Sequence, residues 1–404
     1  MTRTTTVVYI ACIFLIFAIA EISPRKLTIT YNEGCDIPEC NNENDTNAFN
    51  LAHVTAVGDS DTLHYIWSTI GGPTILLAVT DQNVNLKINW TRFLQDEDVS
   101  NSISFTVKPT YTMALVMSKL IEFNDTKNTA NVSSPSNNVT HITQLNDIHW
   151  KIFNDTIDYK SCSGTFQSVS EISNSSLSVK MRAYNETGRE TSLPHLQYTD
   201  NTTQFKFALS NFPSHFKNPR YAVELLMVSD GLVSKHVEKS IDDEYTPAIF
   251  SIINLIVPAS SGSQYGSFSQ WKPVSYSKST PSLSNAQQCH ETEVTSYNEI
   301  LPSRSLLRAF FDISKVKLSS LNVTFGTAKG DFYNSTNYIS WTATIGYGDP
   351  PVESVSQLVI IIISAGLGVP VLICIGGGIY TCIRKWKMSK LKELSRYPPV
   401  TSVN

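Results

Sequence analysis

The 404-residue chain has no Cys-x-x-Cys pair, no His-x-x-x-His pair and no internal repeat. The first two absences argue against a structural zinc site. The third argues against a solenoid or propeller array. No long amphipathic helical period appears outside two apolar runs near the ends. Positive charge is scarce as well: 31 Lys and Arg stand against 35 Asp and Glu. Setting aside Arg3, the bases Arg384, Lys385, Lys387, Lys390, Lys392 and Arg396, and the acid Glu393 leaves 24 basic and 34 acidic residues, a balance of −10. Such a surface has no electrostatic footprint for nucleic acid. All eight histidines lie in this middle part. An acidic compartment would charge them and offset much of the deficit.

The first apolar run, Val7–Ala20, follows Arg3 and ends in Ala18-Ile19-Ala20 before Glu21. A basic start, an apolar stretch and a small-x-small end form a secretory signal peptide, here residues 1–20. The run is shorter than the roughly 20 residues that a membrane span takes. The second run, Leu358–Ile383, has 26 residues without a charge. At ~1.5 Å per residue it exceeds a ~30 Å hydrocarbon core, so some tilt is expected. The six bases after it mark the cytosolic side. The expected topology is type I: residues 21–357 lumenal, 358–383 spanning, 384–404 cytosolic.

Eleven Asn-x-Ser/Thr sequons follow the signal, at Asn44, Asn89, Asn124, Asn131, Asn138, Asn154, Asn174, Asn185, Asn201, Asn322 and Asn334. Chance matches are common in a chain rich in Asn, Ser and Thr, but these sites meet the glycosylation machinery. None lies between Asn201 and Asn322, so that stretch is a candidate for a buried or partner-facing surface. Of the lumenal cysteines, Cys35, Cys40, Cys162 and Cys289, an even number in an oxidising compartment suggests two disulfides. Three pairings exist. Cys35–Cys40 with Cys162–Cys289 is preferred, because closing a long loop constrains the unfolded chain most.

Short runs rich in aromatic and β-branched residues recur: Leu63–Ser68, Thr74–Thr80, Leu86–Trp90, Ser102–Val107, Leu177–Tyr184, Gln204–Leu209, Tyr221–Val228, Leu321–Phe325 and Tyr338–Ile345. Several alternate apolar and polar, as half-buried strands do. Asn124–Gln144, Pro258–Ser269 and Ser275–Gln288 read as polar loops. The fold class is mostly β: a lumenal sandwich-like domain, in one body or two lobes, plus one C-terminal transmembrane helix.

Three motifs imitate chemistry. Gly262–Gly266 has the outer glycines of a nucleophile elbow, but Gln264 at its centre cannot attack a carbonyl. Asp242-Asp243-Glu244 suggests paired carboxylates, yet Ser240–Asp243 fits a capping box, and a helix start or tight turn explains the acids. Thr344–Asp349 reads like a channel filter, which would need a pore helix and two spans. A Gly-rich turn before the membrane helix accounts for it. No catalytic, cofactor or metal residues are assigned.

Tyr397-Pro-Pro-Val400 in the tail fits Tyr-x-x-apolar, a form that adds as an extended strand to a clathrin adaptor. Its prolines pre-extend it. Within the span, Ser364 and Gly368 form a small-xxx-small pair that lets another helix approach closely.

Longer blocks carry a resemblance. The stretches 57–80, 240–250, 268–277, 308–311, 321–326 and 338–352, with Trp67, Trp271 and Trp341 among them, closely resemble the glycosylated lysosomal membrane protein family from about residue 50 onward. That family's pattern before the span is a Gly-x-Gly turn then Pro-Pro-Val. The resemblance implies a non-catalytic accessory protein of the lysosomal membrane. Its partner would be a multi-span major facilitator transporter that exports small peptides, stabilised by the lumenal domain and shielded from proteases by its glycans. Tyr397 and Val400 occupy the family's sorting motif, and the cysteine pairing does not carry over. Rival readings are a cargo or sorting receptor cycling through the endolysosomal system, and a lumenal acid hydrolase.

Overall fold

A computed structural model describes residues 24–41, 51–134, 139–152, 158–170, 174–239, 245–259, 266–353 and 357–394. The signal segment, Asp242–Glu244, Gln264 and the Tyr397–Val400 motif lie outside the described residues. Two compact units divide the chain, residues 1–351 and 352–404.

The first unit is one sandwich of two antiparallel sheets. The front sheet runs in the order Lys26–Tyr31, Leu51–Val57, Asp61–Ser68, Thr74–Asp81, Tyr111–Asn124, Pro219–Ser229, Lys317–Phe325. The back sheet runs Lys151–Ile152, Ser163–Ser170, Ser175–Ala183, Thr202–Ser210, Tyr338–Tyr347, Ser267–Trp271, Ser251–Val257, Ser234–Lys239. The strand Ala286–Glu291 pairs with Val274–Tyr276 of the back sheet and with Lys317–Phe325 of the front, joining the two.

Between the sheets lies the main core, to which alternate residues of the central strands point. Leu63, Tyr65 and Trp67 of one front strand meet Phe205, Phe207, Trp271 and Trp341 from the back. Trp341 has Trp271 edge-on at 5.6 Å and Phe205 at 5.3 Å. The tryptophans of the resemblance blocks are therefore core residues. A second core covers the outer face of the front sheet. There Ile66, Leu76, Ala78, Val116, Leu226 and Val228 pack against Trp90, Phe93, Leu94, Leu306 and Leu307. The front sheet is apolar on both faces, and Tyr111–Asn124 in its middle is correspondingly a near-continuous apolar run.

Several expectations change. Leu86–Trp90 is a strand only to Ile88; Asn89 then caps a helical turn, Trp90–Leu94, accepting from the Arg92 N–H at 3.0 Å. Asn is among the best N-cap residues, and that preference overrides the strand pattern. The polar segment Asn124–Gln144 contains an exposed strand, Thr140–Gln144, paired with Lys119–Phe123. The stretches 258–269 and 275–288, loop-like in composition, contribute to the strands Ser267–Trp271, Val274–Tyr276 and Ala286–Glu291. The apolar run after Asp243 is a strand, Ser251–Val257, not a helix.

The filter-like segment is strand to Tyr347. Gly346 is paired on both sides, with Thr202 and Phe268. A Cβ there would lie 2.6 Å from the Phe268 ring, so packing demands the glycine. Only Gly348, at φ +87°, belongs to a turn.

Candidate functional site

The second unit's helix, Gln357–Leu394, spans 38 residues. Among the described residues it is the one helix long and apolar enough to cross a membrane. At ~1.5 Å per residue it is about 57 Å long, well beyond a ~30 Å hydrocarbon core. The helix continues past Ile383, so the basic segment Arg384–Lys392 is helical as well. Trp386 with Lys390 4.3 Å from its ring suits the interface, where aromatic belts and cations gather. Ser364 and Gly368 lie within the apolar part, and a Cβ added at Gly368 meets open space.

Of the eleven sequons, Asn44, Asn138 and Asn154 lie outside the described residues. Asn89, Asn131, Asn174, Asn185 and Asn334 are exposed. Asn124 and Asn201 are half-buried, and each presents its Oδ1 to a donor: the Asn218 N–H at 3.4 Å and Arg25 Nε at 2.8 Å. That leaves the amide nitrogen, the atom a glycan takes. Arg25 also grips both oxygens of Asp61, at 2.7 and 3.2 Å, fixing the geometry at Asn201. Asn322 differs. It sits inside a strand opposite Glu224, half-buried, with a buried Oδ1 that has no hydrogen-bond partner.

The cysteines divide. Cys35 and Cys40 are bonded, and their loop packs on the second core. Trp90 Nε1 donates to the Glu33 carbonyl at 2.9 Å, and Gln95 Nε2 to Glu39 at 2.8 Å, tying the loop to the helical turn. Cys162 and Cys289 stand as separate buried thiols, against the preferred pairing. Cys162 Sγ lies 3.7 Å from the Tyr159 carbonyl, and burial pushes the Cys289 thiol far up. Both are members of the main core, where they pack as small apolar side chains. The loop-entropy argument weighs only the unfolded chain and ignores where the fold puts the two sulfurs.

One group of titratable residues was not legible in the sequence. His53 Nε2 lies 3.0 Å from His64 Nδ1, and His64 Nε2 lies 3.0 Å from Thr80 Oγ1. The Thr80 hydroxyl donates onward to the Asp81 carbonyl. It must therefore accept from His64, which must accept from His53, so the chain is satisfied with both rings neutral. Burial pushes His53 down to about 4, and burial with the neighbouring His53 pushes His64 down to about 3. Glu33 Oε2, 3.8 Å from His53 Nδ1, is the carboxylate facing the pair. Period-2 spacing cannot reveal such a group, because the partners come from different strands.

Among the described residues, no three His, Cys, Asp or Glu side chains are arranged to hold a metal ion.

Comparison with known proteins agrees with this organisation. The pattern of the family described as "Glycosylated lysosomal membrane protein" matches residues 50–388. Glycosylated lysosomal membrane protein A of Xenopus laevis is 32% identical over 97% of this chain and 96% of its own length. The B form of the same frog is 34% identical over 91% of this chain and 92% of its own. The Homo sapiens protein is 30% identical over 86% and 87%. With a large β domain followed by one apolar helix, and with that match across most of its length, the chain belongs to the glycosylated lysosomal membrane protein family.

Proposed function

We propose that the protein is a non-catalytic accessory subunit in the lysosomal membrane. It binds a multi-span transporter of the major facilitator class, stabilises the folded transporter by mass action and screens it from lumenal proteases with its glycans. The observation that carries this reading is the uneven spread of sequons. Between Asn201 and Asn322 there is none. The same stretch supplies the strand Ser234–Lys239, paired on one side only among the described residues. Leu232 is 70% exposed and Val237 51%. An open strand edge with exposed apolar side chains is a template for another chain, and glycans would obstruct it.

The membrane helix supports the same reading. Ser364 and Gly368 offer a close-approach face to a transporter helix. On this reading Tyr397 and Val400 engage a clathrin adaptor from the cytosolic tail.

The test is a mild-detergent pull-down of the tagged full-length protein from lysosomes, read by mass spectrometry. A near-stoichiometric multi-span transporter, lost with Val237→Asp or with Ser364→Leu/Gly368→Leu, supports the reading. Recovery of the protein alone, with transporter levels unchanged on its deletion, sinks it. Soluble cargo in the medium after Tyr397→Ala would favour a sorting receptor instead.

A further inference from the structure

The outer face of the back sheet carries a feature that accessory binding does not use. Across four adjacent strands the register places Thr165, Lys180, Lys206 and Thr342 in one row. Lys180 and Lys206 are directly opposed, and like charges directly opposed across a ladder destabilise it. Their own neighbours do not relieve this: among the described residues neither ammonium has a carboxylate within ion-pair distance. Arg182 stands in the next row, opposite Gln204. Among the described residues the cleft's one carboxylate, Glu190, is already taken, by Arg182 at 3.3 Å and by the Tyr184 hydroxyl. Among the described residues the lining therefore keeps two uncompensated positive charges.

The opposite wall is apolar and braced. Leu193, Pro194 and Leu196 form it. The Pro194 carbonyl accepts from Thr246 Oγ1 at 2.8 Å, and Thr246 in turn accepts from the buried Lys272 ammonium at 2.7 Å. The Tyr184 and Tyr198 rings stack at 3.9 Å and steady the short hairpin of Gly188–Arg189 and Gln197–Tyr198. Between the walls lies a cavity of about 210 Å³. A cavity of ~150 Å³ holds benzene, so this one has room for a ring and a charged head. Lys206 is half-buried, and burial together with the Lys180 charge lowers its pKa, the response of a cation without a counter-ion.

We propose that this cleft binds a small organic oxyanion: a sulfate, phosphate or carboxylate head between Lys180 and Lys206, with an apolar body against Pro194 and Leu196. A doubly approached oxyanion converts the repelling pair into two charge-assisted hydrogen bonds. The charge pair supplies the recognition, and the wall selects anions with a carbon body over bare mineral ions.

Calorimetric titration of the full-length glycoprotein in detergent at mildly acidic pH tests this, with benzenesulfonate, neutral benzenesulfonamide and inorganic sulfate as probes. Benzenesulfonate is expected to bind saturably, the sulfonamide not at all, and inorganic sulfate more weakly. Lys206→Gln or Lys180→Gln is expected to weaken benzenesulfonate about tenfold or more, and Lys206→Arg to retain it. Without ligand, Lys206→Gln should melt at the same temperature or higher, because repulsion is removed. No saturable binding, or binding that both glutamine variants leave unchanged, overturns the proposal. A lower melting temperature for Lys206→Gln with undiminished binding does so too, assigning the lysine a structural role. Sulfate equal to benzenesulfonate overturns the apolar half alone and leaves a mineral-anion site.

Discussion

The two outer faces of the sandwich come from strands of the same kind and end in opposite states. Outside the front sheet, Ile66, Leu76 and Leu226 are sealed under Phe93, Leu306 and the Cys35–Cys40 loop. Outside the back sheet, Lys180, Arg182 and Lys206 stand half-buried or exposed around a cleft. A sheet needs one apolar face to fold on a partner, and the main core supplies that for both. The front sheet adds a second apolar layer. Around Lys180 and Lys206 the back sheet's outer face is free of that duty, and polar side chains can vary there at little cost. The second apolar layer and the exposed chemistry are thus divided between the two sheets.

The sharpest way to break the contrast is to open the second core. Phe93→Ala, at a fully buried position, should cost about 3–5 kcal/mol, read as a fall in the unfolding midpoint. Loss below 1 kcal/mol would mean that the outer layer is not a core.

Acid acts on the same face through His53 and His64. Both pKa values are held below the ~6.5 of an unfolded histidine, so the unfolded chain takes up protons first. Their contribution is full above about pH 6.5 and is lost as the pH falls toward the folded values of about 4 and about 3. At about pH 5 the loss is about 2 kcal/mol per histidine. Melting curves at neutral and acid pH should separate by the two contributions together, and His64→Gln should narrow the gap. An unchanged gap would place the pH dependence elsewhere.

Removing the Cys35–Cys40 bridge as a double serine variant should cost about 2 kcal/mol, the loop entropy of a short ring. Denaturant titration reads it directly. The smallest effect belongs to the back sheet's outer face: Ser178→Ala should stay within about 0.5 kcal/mol. A larger loss there would erase the difference between the faces. The sequons give a parallel test without stability. Asn185→Gln should change electrophoretic mobility and Asn322→Gln should not, since Asn322 lies half-buried within a paired strand.

Legibility followed the environment of each element. Leu177–Tyr184 and Gln204–Leu209 alternate cleanly because one face is core and the other is wet, and both are strands close to those bounds. Tyr111–Asn124 escaped notice because both its faces are buried and its run lacks a period. Thr140–Gln144 escaped for the opposite reason, being almost wholly exposed. Candidate site residues followed the same division. Sequons and the membrane run are local patterns, read in a few consecutive residues. The His53–His64–Thr80 chain and the Lys180–Lys206 pair are not, because each unites separate strands.

The sequence by itself determined the β character, the membrane helix, the family and the positions a glycan could take. These depend on side-chain chemistry within a short window of chain, which any local conformation preserves. Only the tertiary structure decided that Cys162 and Cys289 stand as separate buried thiols, that Gly346 lies under Phe268 and that two lysines face each other across a ladder. Each of those depends on strand register between distant segments. Register is set by the summed burial of whole strands against one another, a quantity that no single segment carries.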